Sequence, residues 1–161
     1  LHRIDLVIAE TPIPPELNVQ GFSHRLGDSG ISFFATSKLK YRLRQSFPQC
    51  LNGMPLLLSG RKSTVKSQLL QWFDRQRIHP RLVGEFDDSA LMKAFGQAGN
   101  GVFTAPTVIE DEVIKQYGVE VIGRTVDVRE QFYAISVERR ISHPAVALVT
   151  QSAREWLFQD T

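Results

Sequence analysis

The stretch GEFDDSALMKAFGQAGNGVFTAP, residues 84–106, contains the end of one strand, a complete helix and the next strand. Its apolar side chains recur at the three- and four-residue spacing of a helix over residues 88–98. Asp88 or Ser89 can accept hydrogen bonds from the free amides of the first turn, and Gly99 suits the left-handed residue that ends a helix. The order of strand, helix and strand predicts a βαβ unit.

Strands and helices alternate on both sides of this stretch. We predict strands over residues 54–60, 81–86, 101–105, 119–126 and 130–138, and helices over residues 63–78, 88–98, 106–118 and 143–159. Ser63 is the expected N-cap of the first of these helices. This order implies an α/β protein in which part of the sheet is parallel.

The N-terminal part of the chain is less regular. Residues 3–9 have the apolar centre of a buried strand, and the prolines of TPIPPE, residues 11–16, predict an extended loop. In residues 22–36, the sequence LGDSG indicates a hairpin or a sharp bend ahead of a strand over residues 31–35. The alternating cations of KLKYRLR, residues 38–44, are typical of a solvated basic surface, with a phosphate or nucleic-acid patch as the alternative.

Composition excludes several classes of protein. The 161 residues carry a net charge of +2, which falls short of the concentrated basic face of a DNA-reading domain. The single cysteine, Cys50, excludes an internal disulfide framework and a multi-cysteine zinc site, and it fits a cytoplasmic setting. No apolar run approaches the length of a membrane span. The chain also opens directly into a core-like strand, so we expect it to be part of a longer protein.

Catalytic and metal-binding motifs are missing from the sequence. The four histidines lack the spacing of metal ligands, and GQAGNG, residues 96–101, follows a helix, which is the wrong order for a phosphate-binding loop. Arg139 and Arg140 are more simply a solvent-facing pair than a ligand clamp. We therefore expect that the chain is not an enzyme and that it has no metal site and no bound cofactor.

Binding residues are expected at the carboxyl ends of the strands, where α/β sheets hold their ligands. Ser59, Gly60 and Thr64 follow one strand with hydroxyls and helix N-terminal amides, although capping alone also explains Ser63 and Thr64. Phe103 lies at a second strand end. Asp87 remains an alternative ligand contact beside the capping residue. Further candidates are Glu10 and Thr11, which follow the first strand, and the Glu10 carboxylate would repel an organic anion and attract a cation.

Several segments, taken in order, resemble the effector-binding domain of LysR-type transcriptional regulators. They are RIDLVIAETP, LNGMPLLLSG, WFDRQRIHPRLVGEF, DDSALMKAFGQAGNGVFTAP and EQFYAISVERRISHPAV. Each segment is weak evidence alone, but the ordered series covers nearly the whole chain. The amino-acid sequences of several segments are most similar to those of a family member that activates a sodium/proton antiporter gene.

The resemblance implies a two-lobed, periplasmic-binding-protein-like effector domain with a partial first lobe. It assigns residues 1–21 and 127–161 to lobe I and residues 22–126 to lobe II, with the N-terminal winged helix-turn-helix absent from this chain. It also implies a cytoplasmic transcriptional activator that forms a dimer or tetramer, binds promoter DNA through the missing domain and contacts RNA polymerase. Glu10 and Thr11 are then expected to help sense a small effector or a monovalent cation, sodium above all.

Two other classes share a similar scaffold. A periplasmic-type solute-binding protein for a small polar ligand is the first alternative, and the residues upstream of Leu1 would distinguish it. A porphyrin-pathway deaminase is the second, but it needs a cofactor-bearing cysteine with an arginine cluster, and Cys50 precedes an LNG turn without such neighbours.

Overall fold

The computed structural model describes residues 4–17, 20–60, 63–137 and 140–158. The chain is a mixed α/β protein, as the sequence predicts. Its strands are β1 Val7–Ala9, β2 Phe22–Ala35, β3 Pro55–Ser59, β4 Arg81–Phe86, β5 Phe103–Pro106 and β6 Glu120–Ser136. Its helices are α1 Ser37–Lys40, α2 Thr64–Gln76, α3 Ser89–Gln97, α4 Glu110–Tyr117 and α5 Pro144–Phe158, with 3₁₀ turns at Gln49–Leu51 and Thr107–Ile109.

The chain divides into two compact units. The central unit is formed by residues 30–129, and the terminal unit is formed by residues 1–29 and 130–161. Strands β2 and β6 each continue from one unit into the other. The family resemblance assigns residues 22–126 to lobe II, and the central unit covers residues 30–129.

The central unit contains the parallel pairing that the sequence predicts. Strand β3 runs parallel to β4, with Leu56 opposite Leu82 and Ser59 opposite Phe86. A parallel bridge also joins Leu56 to Val102, just before β5. Because β3 and β4 are parallel, their carboxyl ends reach the same edge of the sheet. Strand β5 pairs antiparallel with β2.

Two hydrophobic clusters support this arrangement on the central unit. The first surrounds Phe33 of β2, whose ring lies 5.3 Å from that of Phe47 and 5.6 Å from that of Trp72 on α2. The second surrounds Phe34, which stacks on Phe103 with ring centroids 5.4 Å apart. Adjacent residues of β2 point to opposite faces of the sheet, so the two phenylalanines serve different clusters.

The terminal unit is smaller. Strand β1 pairs antiparallel with the second half of β6, with Val7 opposite Ile135 and Ala9 opposite Tyr133. Helix α5 buries Val146 and Thr150, and the ring of Phe158 lies against Gly27 of β2. Of the predicted strand over residues 3–9, residue 3 lies outside the described ranges, and within residues 4–9 only Val7–Ala9 pair with β6.

The sequence predicts two breaks between strands that the structure does not contain. LGDSG does not form a turn, since β2 continues through it from Phe22 to Ala35, and the predicted strands 119–126 and 130–138 join into the single strand β6. The glycines there serve close packing. A Cβ on Gly30 would lie 2.8 Å from the Thr125 carbonyl oxygen, and one on Gly123 would lie 2.2 Å from the Phe47 ring.

Three predicted helix ends are confirmed, but the helix predicted over residues 106–118 starts only at Glu110, because Pro106 ends β5 and Thr107–Ile109 form a 3₁₀ turn. The Ser63 hydroxyl accepts a hydrogen bond from the Val65 amide, and Gly99 and Gly118 have positive φ angles of 83° and 61°. The basic stretch 38–44 begins within the short helix α1. Within the described ranges, no helix has the length and apolarity needed to cross a membrane.

Candidate functional site

The candidate site of the central unit lies at the carboxyl end of β3. Ser59 ends this strand, Gly60 follows it, and Ser63 caps α2, whose first residue is Thr64. We call these four residues the β3–α2 segment, and residues 61 and 62 between them lie outside the described ranges. The structure therefore brings the sequence-predicted residues Ser59, Gly60 and Thr64 together next to the amino end of a helix.

The Asp87 side chain lies directly against this segment. The Gly60 amide donates a hydrogen bond to the Phe86 carbonyl oxygen at 2.6 Å, and a Cβ placed on Gly60 would lie 1.8 Å from Asp87 Oδ1. Only glycine leaves room for the carboxylate in this position. The sequence offers Asp87 as an alternative ligand contact, but no local signal places it beside Gly60, 27 positions earlier.

The neighbouring aspartate has a different role. Asp88 Oδ1 accepts a hydrogen bond from the Leu91 amide at 2.8 Å, which confirms it as the N-cap of α3. The aspartate pair therefore combines a helix cap with a carboxylate at the edge of the β3–α2 segment. Close by, Lys66 Nζ lies 2.7 Å from Glu85 Oε2, so these two charges largely offset each other.

The side chains of the β3–α2 segment and of Asp87 offer several oxygen atoms to a ligand. The hydroxyls of Ser59 and Thr64 and the Asp87 carboxylate suit a cation or a ligand with hydrogen-bond donors. The amino end of α2 favours the opposite sign, because free amides and the helix dipole attract negative charge. A full negative charge at short range outweighs the partial charge of a helix end, so the segment with Asp87 favours cationic or donor-rich ligands over organic anions.

Phe103 is a correction to the predicted site. Its side chain is fully buried, stacks on Phe34 and packs against Gly96 of α3, where an added Cβ would lie 2.1 Å from Phe103 Cδ1. The ring therefore belongs to the hydrophobic core. The sequence predicts a ligand contact at the carboxyl end of this strand, but Phe103 is the first residue of β5, and its ring packs against α3.

Glu10 and Thr11 lie in the terminal unit. Both are exposed and follow Ala9, the last residue of β1. The other predicted residues, Ser59, Gly60, Thr64 and Phe103, lie in the central unit. Within the described residues, no group of three histidine, cysteine, aspartate or glutamate side chains is placed to hold a metal ion.

A concavity of about 570 Å³ lies elsewhere, on the terminal unit. It is lined by His24 of β2, by Arg140 and Ile141, and by Ala147, Thr150, Gln151, Arg154 and Glu155 of α5. Several lining side chains make hydrogen bonds: His24 contacts Ser136, Thr150 donates to the Val146 carbonyl, Gln151 donates to Glu155, and Arg154 donates to the Arg25 carbonyl. The sequence assigns no role to this surface beyond solvent exposure of Arg140.

Cys50 is buried in the 3₁₀ turn before β3. Burial raises the pKa of its thiol, since a thiolate is poorly solvated there. The residue therefore has the character of a core side chain rather than a nucleophile, as its sequence context indicates.

Comparison with known proteins places this chain in a family. The LysR substrate binding domain matches residues 1–158. Transcriptional activator protein NhaR of Escherichia coli K12 and of Shigella flexneri are each 39% identical over 157 residues, 98% of this chain. The chain spans 51% of the length of these relatives.

Solved structures share the fold at lower sequence identity. The effector-binding domain of AmpR from Citrobacter freundii has a TM-score of 0.68 at 19% identity, covering 96% of this chain and 74% of that one. The regulatory domain of Synechocystis PCC6803 CcmR, solved in complex with 2-PG, has a TM-score of 0.63 at 12% identity, covering 97% and 74%. On the family match and the identity to NhaR, this chain belongs to the LysR substrate-binding domain family, whose members act in transcription regulation.

Proposed function

We propose that this chain is the effector-sensing and oligomerisation domain of a LysR-type transcriptional activator that responds to sodium. The observation that carries the proposal is the 39% identity to the activator NhaR across 98% of the chain. The remaining half of such a regulator would supply the winged helix-turn-helix that binds promoter DNA, and the assembled activator would contact RNA polymerase in the cytoplasm.

The charge of the candidate residues supports a cationic effector. Glu10 follows β1 on the terminal unit, and Asp87 lies against Gly60 on the central unit. Each of the two proposed effector surfaces thus contains a carboxylate, and sodium prefers oxygen ligands of this kind. Under the proposal, Glu10 and Thr11 are the effector residues of the terminal unit. Ser59, Gly60, Thr64 and Asp87 are those of the central unit, and Phe103 is left out.

Exposed apolar side chains on the central unit support self-association. Leu91 and Phe95 lie one turn apart on α3 and are 51% and 45% exposed. The Phe95 ring contacts Phe86 of β4, a strand that also exposes Leu82 and Val83. An exposed apolar pair such as Leu91 and Phe95 can form part of a protein–protein interface. We propose that it contributes to a homodimer or tetramer.

The test uses the full-length regulator in a transcription assay on a promoter that it binds. Sodium chloride is replaced stepwise by potassium chloride at constant ionic strength. We expect activation to rise with sodium for the wild type and for Glu16→Ala, which removes an exposed carboxylate of the same unit. Glu10→Ala should lose this dependence. Equal responses of Glu10→Ala and the wild type would reject the sodium site at Glu10.

A further inference from the structure

The side-chain amide of Gln68 on α2 binds both main-chain groups of one residue in β6. Its Oε1 accepts a hydrogen bond from the Arg129 amide at 3.0 Å, and its Nε2 donates to the Arg129 carbonyl oxygen at 2.9 Å. The side chain thus takes the place of a neighbouring strand at this residue. Arg129 is the last residue of the central unit, and β6 enters the terminal unit at Glu130.

Trp72 makes a second connection one turn further along α2. Its indole Nε1 donates to Asp127 Oδ2 at 3.3 Å, and its ring is 2% exposed within the first hydrophobic cluster. Residues four apart on a helix share one face, so Gln68 and Trp72 hold two residues of β6 that are two positions apart. The position of α2 therefore determines where this part of β6 lies.

The same glutamine also contacts the start of α2. Nε2 lies 3.3 Å from the Thr64 carbonyl oxygen, and an amide nitrogen has two hydrogens, so it can donate to Thr64 and Arg129 together. Thr64 belongs to the β3–α2 segment. One side chain thus joins the proposed effector surface of the central unit to the last residue before β6 changes units.

We infer that Gln68 is a positioning residue that couples the β3–α2 segment to β6 at the boundary of the two units. The inference rests on the proposed function, in which that segment meets the effector. A displacement of the first turn of α2 moves Gln68, and both hydrogen bonds to Arg129 must follow or break. The main chain of β6 responds because Gln68 binds its amide and carbonyl groups directly.

The test is a double-mutant cycle read by amide hydrogen exchange in this chain, with the Leu58 amide in the β3 core as internal reference. Gln68→Met keeps the length of the side chain and removes both bonds, so exchange of the Arg129 amide should rise about fivefold or more relative to Leu58. Gln71→Met, on the exposed face of the same helix, should leave the ratio unchanged.

The second arm of the cycle disturbs the start of the helix. Ser63→Ala removes the cap of α2 and should raise Arg129 exchange, relative to Leu58, at least about twofold when Gln68 is present. In the Gln68→Met background it should have no further effect. If Ser63→Ala raises Arg129 exchange by the same factor in both backgrounds, the inference is wrong. It is also wrong if Gln68→Met leaves the exchange of the Arg129 amide unchanged.

Two further measurements keep the outcome clear. Gln68→Glu retains an acceptor for the Arg129 amide but loses the donor to its carbonyl, so it should give an intermediate exchange ratio and replaces Gln68→Met if that variant does not fold. Replacing potassium chloride by sodium chloride tests the proposed function separately. If sodium leaves the exchange of the amides of residues 59–64 unchanged while the cycle shows coupling, the proposed sodium response is rejected. The role of Gln68 is then still supported.

Discussion

Arg124 holds the carboxylate of Glu110 through two hydrogen bonds, from Nε to Oε2 at 2.8 Å and from Nη2 to Oε1 at 2.5 Å. Ser32, a fully buried residue of β2, donates to the same Oε2 at 2.6 Å. The bonds from Arg124 are the main reason that the pKa of Glu110 is lowered. Strands β2 and β6 are thereby both linked to the first residue of α4.

This pair predicts a pH-dependent loss of stability in Arg124→Gln. The variant should unfold with a free energy about 1 kcal/mol lower at pH 7, a modest value because the arginine is 58% exposed and solvent weakens the pair. A carboxyl whose pKa is lowered in the folded state stabilises the fold above its ordinary pKa of 4.5 and loses that contribution as pH falls through the folded value. The difference between variant and wild type should therefore shrink below pH 4.5.

Urea denaturation from pH 7 to pH 3 measures this difference. Lys40→Gln is the matched control, since Lys40 and Glu120 form a pair 3.6 Å apart with both side chains more than 40% exposed. The control should change stability by less than about 0.5 kcal/mol at every pH. If Arg124→Gln lowers the free energy of unfolding by the same amount at every pH down to 3, the pKa of Glu110 is not lowered by Arg124.

The aspartate pair predicts unequal effects of two adjacent substitutions. Asp88→Ala removes the cap of α3 and should lower the free energy of unfolding by about 1 kcal/mol, whereas Asp88→Asn keeps an acceptor and should be nearly neutral. Asp87→Ala should change stability by less than about 0.5 kcal/mol in potassium chloride, because its side chain is exposed. Thermal unfolding of the three variants checks this, and a larger loss for Asp87→Ala would show that its carboxylate is structural.

The contact between Gly60 and Asp87 predicts a steric conflict in Gly60→Ala. The new Cβ would lie 1.8 Å from Asp87 Oδ1 and 3.2 Å from Asp87 Cα, so the carboxylate must move and stability should fall by about 1 to 2 kcal/mol. Adding Asp87→Ala removes the Oδ1 and Cγ atoms and should recover most of the loss. Urea denaturation of the single and double variants tests this, and additive losses would mean that the two residues do not touch.

Gly96→Ala sets two effects against each other in α3. Alanine favours a helix over glycine by about 1 kcal/mol, but its Cβ would lie 2.1 Å from Cδ1 of the fully buried Phe103. Overpacking a rigid core costs about 1 to 3 kcal/mol, so we expect net destabilisation. Calorimetry checks the sign, and a stabilised variant would show that Phe103 can move aside.

Local sequence signals predict some features of the fold and not others. The caps at Ser63 and Asp88 and the left-handed stops at Gly99 and Gly118 are visible in the sequence because each depends on residues within one helical turn. The parallel pair β3–β4 follows from the alternation of strands and helices. The glycines of LGDSG are misleading in β2, since Gly27 and Gly30 make room for Phe158 and Thr125, which lie far away in sequence.

The residues of the candidate site can also be predicted only where they are close together in sequence. Ser59, Gly60 and Thr64 can be predicted together because they follow one strand, but Asp87 reaches Gly60 only after β4 pairs with β3. Phe103 is the first residue of β5 rather than the last, and its ring is fully buried beside α3, which the sequence does not show. The contact of Gln68 with the Arg129 main chain has no sequence signal, because it depends on where α2 packs.

Direct binding of sodium to this chain tests the central claim most closely. The measurement is the melting temperature in sodium chloride and in potassium chloride at equal total concentration. A cation that binds only the folded state raises the melting temperature as its concentration rises. We predict a higher melting temperature in sodium for the wild type and for Glu16→Ala, and no difference between the salts for Glu10→Gln. Equal melting temperatures of the wild type in the two salts across the titration would contradict sodium sensing by this domain.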